Sequence, residues 1–442
     1  MSWEGFKNIL LILLIAISGI LTWSLWFYQP NYKEVDDSFV KKTYIQNRVE
    51  PTEIVKPTKM IYHENGQYYG TTSDSMIKKA THSVQKWKLY NFNNRSMRYT
   101  TRSSFDELVG KSGNVELVFN DIVSLSYYKN FLKIEESDLP SVEFNKIIIK
   151  TDSNGENDSS IYFVSDRSSF SVVEANVETD YIHEFKKAFA KTSQYAKYEK
   201  LTITSNHSIL APAEVTWVDR QIYKLKSLSV NNFKQALFLK PDNVKQEGDI
   251  YTDGLSILSK NVQSRTISFK NMAVGGKENR VSEEDLLQRS IDFVNGHAGW
   301  NYNYRYAYSN DQTNTFRLYM DGLPLFNTMG TSEISVRWGT GMGVQAYDRP
   351  YVSPNGYFKE TDDKVELSSG EDALAAFKTY MKKEYDPKKL EDMTIGYDFD
   401  PNTNKEKGQG FYQLTPNWFY LYDGVWTQIS VTPQGGMIDG LE

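Results

Sequence analysis

The 442 residues are 40% hydrophobic and 24% charged, carry a formal net charge of −6 and include no cysteine. That balance describes a folded globular protein with room for two or three domains, not a disordered chain. Without cysteine there are no disulfides, no thiol catalysis and no Cys-based zinc or iron–sulfur sites, and an acidic chain lacking a concentrated basic stripe offers no footprint for nucleic acid.

Residues 1–8 read as a short cytoplasmic tail. The run Ile9–Phe27 carries no charge, and a helix over residues 9–28, rising about 1.5 Å per residue, crosses a hydrocarbon layer ~30 Å thick. Trp23, Trp26, Phe27 and Tyr28 crowd its downstream end, where amphipathic rings favour the interface, and Pro30 stops it. These bulky residues stand where a secretory signal shows small ones, so the span is expected to stay as an anchor. Lys7 before it and Lys33, Lys41 and Lys42 after it do not set the orientation. The short tail and large remainder place the N-terminus in the cytoplasm and the bulk outside, at the cell membrane. Within the span, Ser18 and Thr22 lie four apart with Gly19 beside them, a small-residue seam along which helices approach closely.

Residues 29–57, polar and punctuated by Pro51 and Pro57, read as a tether. An N-terminal extracytoplasmic domain is expected over 58–206. It opens with a hairpin turning at Asn65-Gly66, followed by a helix capped by Ser73 with Met76, Ile77, Ala80, Val84 and Trp87 on one face. Strands follow at Val115–Phe119, Phe144–Ile149 and Ser160–Val164, the last two flanking a polar loop at Asp152–Asp158, and Ile182, Phe185, Phe189 and Ala196 line a second helix. A central domain over 207–278 holds a helix capped by Ser229 and ended by Pro241, then strands at Asp249–Leu258 and Arg265–Met272, with Gly275-Gly276 at the boundary.

The C-terminal domain, 279–442, reads as a duplicated helix-plus-meander unit. A helix capped by Ser282 precedes strands at Asn301–Tyr308, Thr315–Met320 and Glu333–Trp338. A helix opened by Ser369 precedes Met393–Phe399, Gly410–Leu414 with Trp418–Tyr422, and Trp426–Val431. The fold class is therefore α+β, antiparallel sheets with packed helices behind a transmembrane helix.

No motif for catalysis, a cofactor or a metal emerges. The five histidines never pair at metal spacing; His183-Glu184 begins like H-E-x-x-H but Lys187 breaks it, and each histidine reads as exposed or capping. Gly339–Gly343 reads as a glycine turn between strands, with Pro350 and Pro354 too close to permit a phosphate-binding helix. Asp398–Asn404 resembles the start of a calcium loop, but Thr403 and Gln409 replace the glycine and glutamate it requires. Carboxylates such as Glu283 and Asp348 cannot be paired from sequence. Tyr302, Tyr304, Tyr306 and Tyr308 share one side of a strand, and Trp418, Tyr420 and Tyr422 repeat the device. Such aromatic ladders either stack on sugars or a partner, or form a half-buried face beneath a helix.

Several stretches resemble the YycH family: the uncleaved N-terminal span, Tyr251–Leu258 with Phe269–Met272, Phe316–Pro324 and Pro416–Trp426. The resemblance covers the whole length by pattern rather than by a chemical motif. It implies a single-pass, non-enzymatic protein with a three-domain outer part that acts with a YycI-like companion on the WalK (YycG) sensor histidine kinase of the WalK/WalR two-component system. Contacts would run partly through transmembrane helices, with an influence on cell-wall homeostasis. The alternative expectation is an extracellular module that binds cell-wall polymer through the aromatic ladders.

Overall fold

Alternating apolar and polar residues shape the first half of the chain. In this computed structural model the described residues are 48–152, 158–167, 170–275, 283–339, 343–358, 363–399 and 411–429, with 7, 11, 14 and 17–19 in the N-terminal segment. The chain divides into two units, Met1–Lys41 and Lys42–Glu442. Lys7, Leu11, Leu14, Ile17, Ser18 and Gly19 are helical. Most of the expected span at 9–28, Thr22 included, and the tether residues 29–47 lie outside the described residues. Among the described residues no helix is long and apolar enough to cross a membrane.

The second unit begins with α1 (Pro51–Ile54), β1 (Lys59–Glu64), β2 (Gln67–Thr71), α2 (Asp74–Val84), β3 (Lys88–Asn94), α3 (Arg102–Val109) and β4 (Asn114–Ser124). It continues with α4 (Leu125–Tyr128), β5 (Lys133–Ile134), β6 (Glu143–Lys150), β7 (Asp158–Ser165), β8 (Ser171–Glu178), α5 (Thr179–Phe189), β9 (Ala196–Thr204) and β10 (His207–Pro212). The ten strands form one sheet in the order β10-β9-β2-β1-β4-β6-β7-β8-β3-β5. Asn65 and Gly66, at φ 52° and 75°, make the tight β1–β2 turn that their identities predict. Met60, Tyr62, Leu117, Ile147 and Ile149 point to one face and share a core with Ile77 and Val84 of α2 and Ile182 and Phe185 of α5.

Three expectations are corrected here. Ser73 makes no side-chain cap; its hydroxyl faces that of Ser75, and the acid at the head of α2 is Asp74. The second helix ends at Phe189, and Ala196 opens β9 instead. Asn206 lies in the β9–β10 turn, so the first sheet runs on to Pro212. The polar loop after Asp152 falls mostly outside the described residues.

The rest of the unit contains β11 (Thr216–Asp219), β12 (Gln221–Ser227), α6 (Val230–Leu237), β13 (Lys245–Glu247), β14 (Ile250–Thr252), β15 (Ser256–Asn261) and β16 (Thr266–Asn271). There follow α7 (Glu283–Gly296), β17 (Tyr304–Asn310), β18 (Thr313–Met320), β19 (Leu323–Phe326), β20 (Glu333–Trp338), β21 (Val344–Pro350) and β22 (Val352–Phe358). Last come β23 (Lys364–Leu367), α8 (Gly370–Met381), β24 (Leu390–Phe399), β25 (Phe411–Tyr422) and β26 (Val425–Gln428). Apart from the β11–β23 pair, these strands join in one sheet of 14, in which β16 pairs with β21 and β19 runs parallel to β24. A helix followed by an antiparallel meander occurs twice, α7 before β17 and β18, and α8 before β24, β25 and β26.

Local chemistry again explains the departures. Asp249–Leu258 is not one strand, because Asp253 Oδ1 accepts the N–H of Leu255 and Ser256 and Gly254 sits at φ 94°, which turns β14 back into β15. Residues 411–422 form one strand despite Pro416. Its missing N–H falls where the outer neighbour changes from β12, paired through Leu414, to β26, paired from Phe419. Ser229 makes no side-chain cap, whereas Ser369 accepts from the Asp372 N–H as expected. Ser282, Gly276 and the centres of the 339–343 and 398–404 loops lie outside the described residues.

The two sheets meet through polar as well as apolar contacts. The Asp74 carboxylate pairs with Arg305 and accepts from Asn303 Nδ2 at 2.9 Å. Asn120 donates to the Tyr306 carbonyl and accepts from the Tyr319 hydroxyl, both at 2.9 Å. At the other edge, Leu201, Ile209 and Ala211 share a core with Leu374 and Phe377 of α8.

Candidate functional site: a charged cleft on the first sheet

The face of the first sheet opposite α2 and α5 carries charge. Strand alternation puts Lys59, Ile61 and His63 of β1 on this side, beside Glu116 and Val118 of β4 and Lys146 of β6. α3 covers the adjoining part of the face by packing Phe105 and Val109 on Ile148, Tyr162 and Val164. Between α3, β10 and residues 387–392 there remains a cleft of about 470 Å³.

Its floor is an interlocked set of ion pairs. His63 Nε2 lies 2.5 Å from Glu116 Oε1, with the two residues only 2% and 1% exposed. Burial alone would raise the Glu116 carboxyl; the His63 hydrogen bond and the Lys146 ammonium outweigh it and hold the group below its usual range. Lys146 donates to Asp166 Oδ2 at 2.9 Å and is raised, against burial, by Asp166 and Glu116. Asp166 also accepts from Asn145 at 3.2 Å and lies 3.7 Å from Arg102; despite burial it is held well below its ordinary value. Arg102 pairs with Asp106 one turn along α3 at 2.9 Å, and Lys200 reaches the same carboxylate from β9.

Two groups stand outside this pairing. Lys59 has no carboxylate within 4 Å among the described residues; its ammonium reaches only the Leu210 carbonyl, at 3.4 Å, and the face of Tyr198. Burial lowers its pKa, opposed by Asp392. Burial likewise lowers His207, again against Asp392. Sequence reasoning missed this site and read His63 as exposed or capping, which the structure corrects. The signal is legible in retrospect: one His in Met60–His63 and one Glu in Val115–Phe119, each set among the apolar residues of a strand.

The aromatic ladders are mostly core. Tyr304 and Tyr306 are buried, while Tyr302 precedes the strand and Tyr308 follows a register shift, both partly exposed. Trp418 and Tyr420 lie beneath α8; the Tyr420 ring stacks on Phe377 at 4.3 Å, and its hydroxyl donates to the Ala373 carbonyl at 2.9 Å. Tyr422 donates to the Glu384 carbonyl and accepts from the Asp386 N–H. The buried rings of Tyr304, Tyr306, Trp418 and Tyr420 present no open face on which a sugar could stack, whereas Tyr302 and Tyr308 remain exposed. Of the membrane seam, Ser18 and Gly19 are helical and Thr22 lies outside the described residues.

Comparison with known proteins places these features in a family. Family models described as "YycH protein, N-terminal domain" and "YycH protein, C-terminal domain" match residues 4–194 and 206–436. The Bacillus subtilis (strain 168) protein named "Two-component system WalR/WalK regulatory protein YycH" is 25% identical over 447 residues, 96% of each chain. The crystal structure of YycH from Bacillus subtilis superposes with a TM-score of 0.72 at 21% identity, covering 87% of this chain and 98% of that one, and so shares the fold. Matched along both halves, the chain belongs to the YycH family.

Proposed function

We propose that this chain is a membrane-anchored, non-enzymatic regulator of a WalK-type sensor histidine kinase, held by one span with its bulk outside the cytoplasm. The observation that carries this reading is family membership along the whole chain, together with a full-length relative named as a WalR/WalK regulator. The span at 9–28 meets the kinase and a YycI-like companion in the bilayer, and the outer sheets hold the complex that influences cell-wall homeostasis. A regulator shifts its kinase only by favouring one signalling state, and a coupling of about 1–3 kcal/mol changes output roughly 5–150-fold. Close-packed or hydrogen-bonded helix contacts worth about 0.6–2 kcal/mol each supply that range. Replacing Ser18, Gly19 and Thr22 with Leu is expected to weaken control of WalR-dependent transcription while protein level and export persist. Unchanged transcription at normal protein level removes the seam from the mechanism, and crosslinking from the span that captures no kinase removes the reading itself.

A further inference from the structure

The cleft carries polar atoms that its own ion pairs leave unused. Among the described residues, His63 Nδ1, Glu116 Oε2, Asn145 Oδ1 and His207 Nε2 are buried without a hydrogen-bond partner, and all four residues line the cleft. Two of them have a fixed chemical sense. Glu116 Oε2 belongs to a carboxylate whose other oxygen is bonded to His63, and Lys146 stands 3.9 Å away, beyond hydrogen-bond reach. Asn145 spends its amide donor on Asp166, which leaves the carbonyl oxygen to accept. The roles of the His63 ring nitrogens depend on its tautomer, so it sets neither sense. Glu116 Oε2 and Asn145 Oδ1 are therefore two buried acceptors, and the donor set against them is the Lys59 ammonium.

These two surpluses lie close together. Lys59 stands opposite Val118 and Ile61 opposite Glu116, so Lys59 and Glu116 are one side-chain step apart on the same face, about 7 Å along the strands. The lining as a whole is nearly balanced, with six Lys or Arg against five Asp or Glu, and Arg167 is further engaged by Asp121. A balanced wall with an unused group of each sign suits a ligand that itself carries both signs, because a simple anion or cation would leave one surplus unmet. Ile61, Val118, Phe119, Ile209 and Leu390 supply an apolar side to the same space, and its volume lies in the range of small-molecule sites.

We propose that this cleft binds a small zwitterion of the α-amino-acid type, free or as the end of a short peptide. Its ammonium group lies against Glu116 Oε2 and Asn145 Oδ1, and its carboxylate against Lys59. The bound molecule lies in the space that the first sheet shares with residues 387–392. This inference stands apart from the kinase reading, since binding is measured without the kinase.

The test is calorimetric titration of the detergent-solubilised full chain, at neutral pH and up to millimolar ligand, with each of the common L-amino acids and with L-alanyl-L-alanine. Saturable binding of at least one zwitterion is expected, with its N-acetylated and its carboxamide forms each at least tenfold weaker. A free amino acid that outbinds the dipeptide points to a free ligand; the reverse order points to a peptide end, and both support the site. Lys59→Met and Glu116→Gln are each expected to weaken binding tenfold or more. Protection of Lys59 from reductive methylation by the ligand, read by mass spectrometry in the unaltered protein, keeps the test valid where a variant does not fold. Acetate, inorganic phosphate or methylamine binding as tightly as the zwitterion overturns the proposal. So does the absence of binding by every zwitterion tried, or binding that leaves Lys59 unprotected.

Discussion

Asp74→Asn is expected to loosen the contact between the two sheets more than any surface change of similar size. Arg305, on β17, is fully buried. Its guanidinium pairs with the Asp74 carboxylate and lies 4.2 Å from the Tyr319 ring centre, while Nε and Nη1 have no hydrogen-bond partner among the described residues. Burial pushes Arg305 down to about 10, and burial together with the Arg305 charge pushes nearby Lys56 down to about 8. The Asp74 carboxylate, with Glu53 acting from further off, thus compensates a cation that is already poorly solvated and has Lys56 nearby. Removing one partner of a buried pair costs about 3–5 kcal/mol because the other charge stays buried; the Asp74 side chain is 35% exposed, so solvent replaces part of its role and about 2 kcal/mol is expected. Loss of the acid from the first turn of α2 adds about 0.3–1 kcal/mol. The measurement is urea unfolding of the full chain in detergent, followed by tryptophan fluorescence, for Asp74→Asn, Arg305→Met and the double variant. Removing both charges is expected to recover most of the loss, since an apolar side chain of similar volume tolerates burial. An Asp74→Asn variant within about 1 kcal/mol of the parent, or a double variant no more stable than Asp74→Asn, refutes the argument.

Two further outcomes follow from the core and the cleft. Tyr420→Ala is expected to cost about 3–5 kcal/mol of unfolding free energy by emptying the space beneath α8, as for other large-to-small core changes; a loss below about 1 kcal/mol shows that the ring is not part of the core. Stability is also expected to fall on acidification in two stages. His207 is lowered by burial, so below its ordinary 6.5 the unfolded chain takes up a proton that the folded one resists. Asp166 is held below its ordinary 3.8, so its stabilising ionised form is complete above about pH 4 and is lost as the pH drops through lower values. Thermal melts between neutral and acid pH check this, with Asp166→Asn flattening the lower stage. A melting temperature that rises on acidification contradicts both assignments.

Elements with strong local codes were readable in the chain. Asn65-Gly66 specifies its turn because both positions need positive φ, and Ser369 caps α8 because its hydroxyl meets an N–H three residues on. Patterns that depend on a distant partner misled. Asp253 looks like a strand residue until its carboxylate turns back on the main chain, and Pro416 looks like a strand end until its outer neighbour changes beside it.

The sequence by itself determined the family, the α+β class and the apolar stripes of α2 and α5, because periodicity and turn chemistry are properties of neighbours along the chain. Only the tertiary structure decided that Tyr304, Tyr306, Trp418 and Tyr420 of the ladders are interior, and that His63, Glu116, Lys146 and Asp166 form one network. The first three lie on separate strands and Asp166 just beyond a fourth, and the low-dielectric setting that binds them together exists only after the strands have paired.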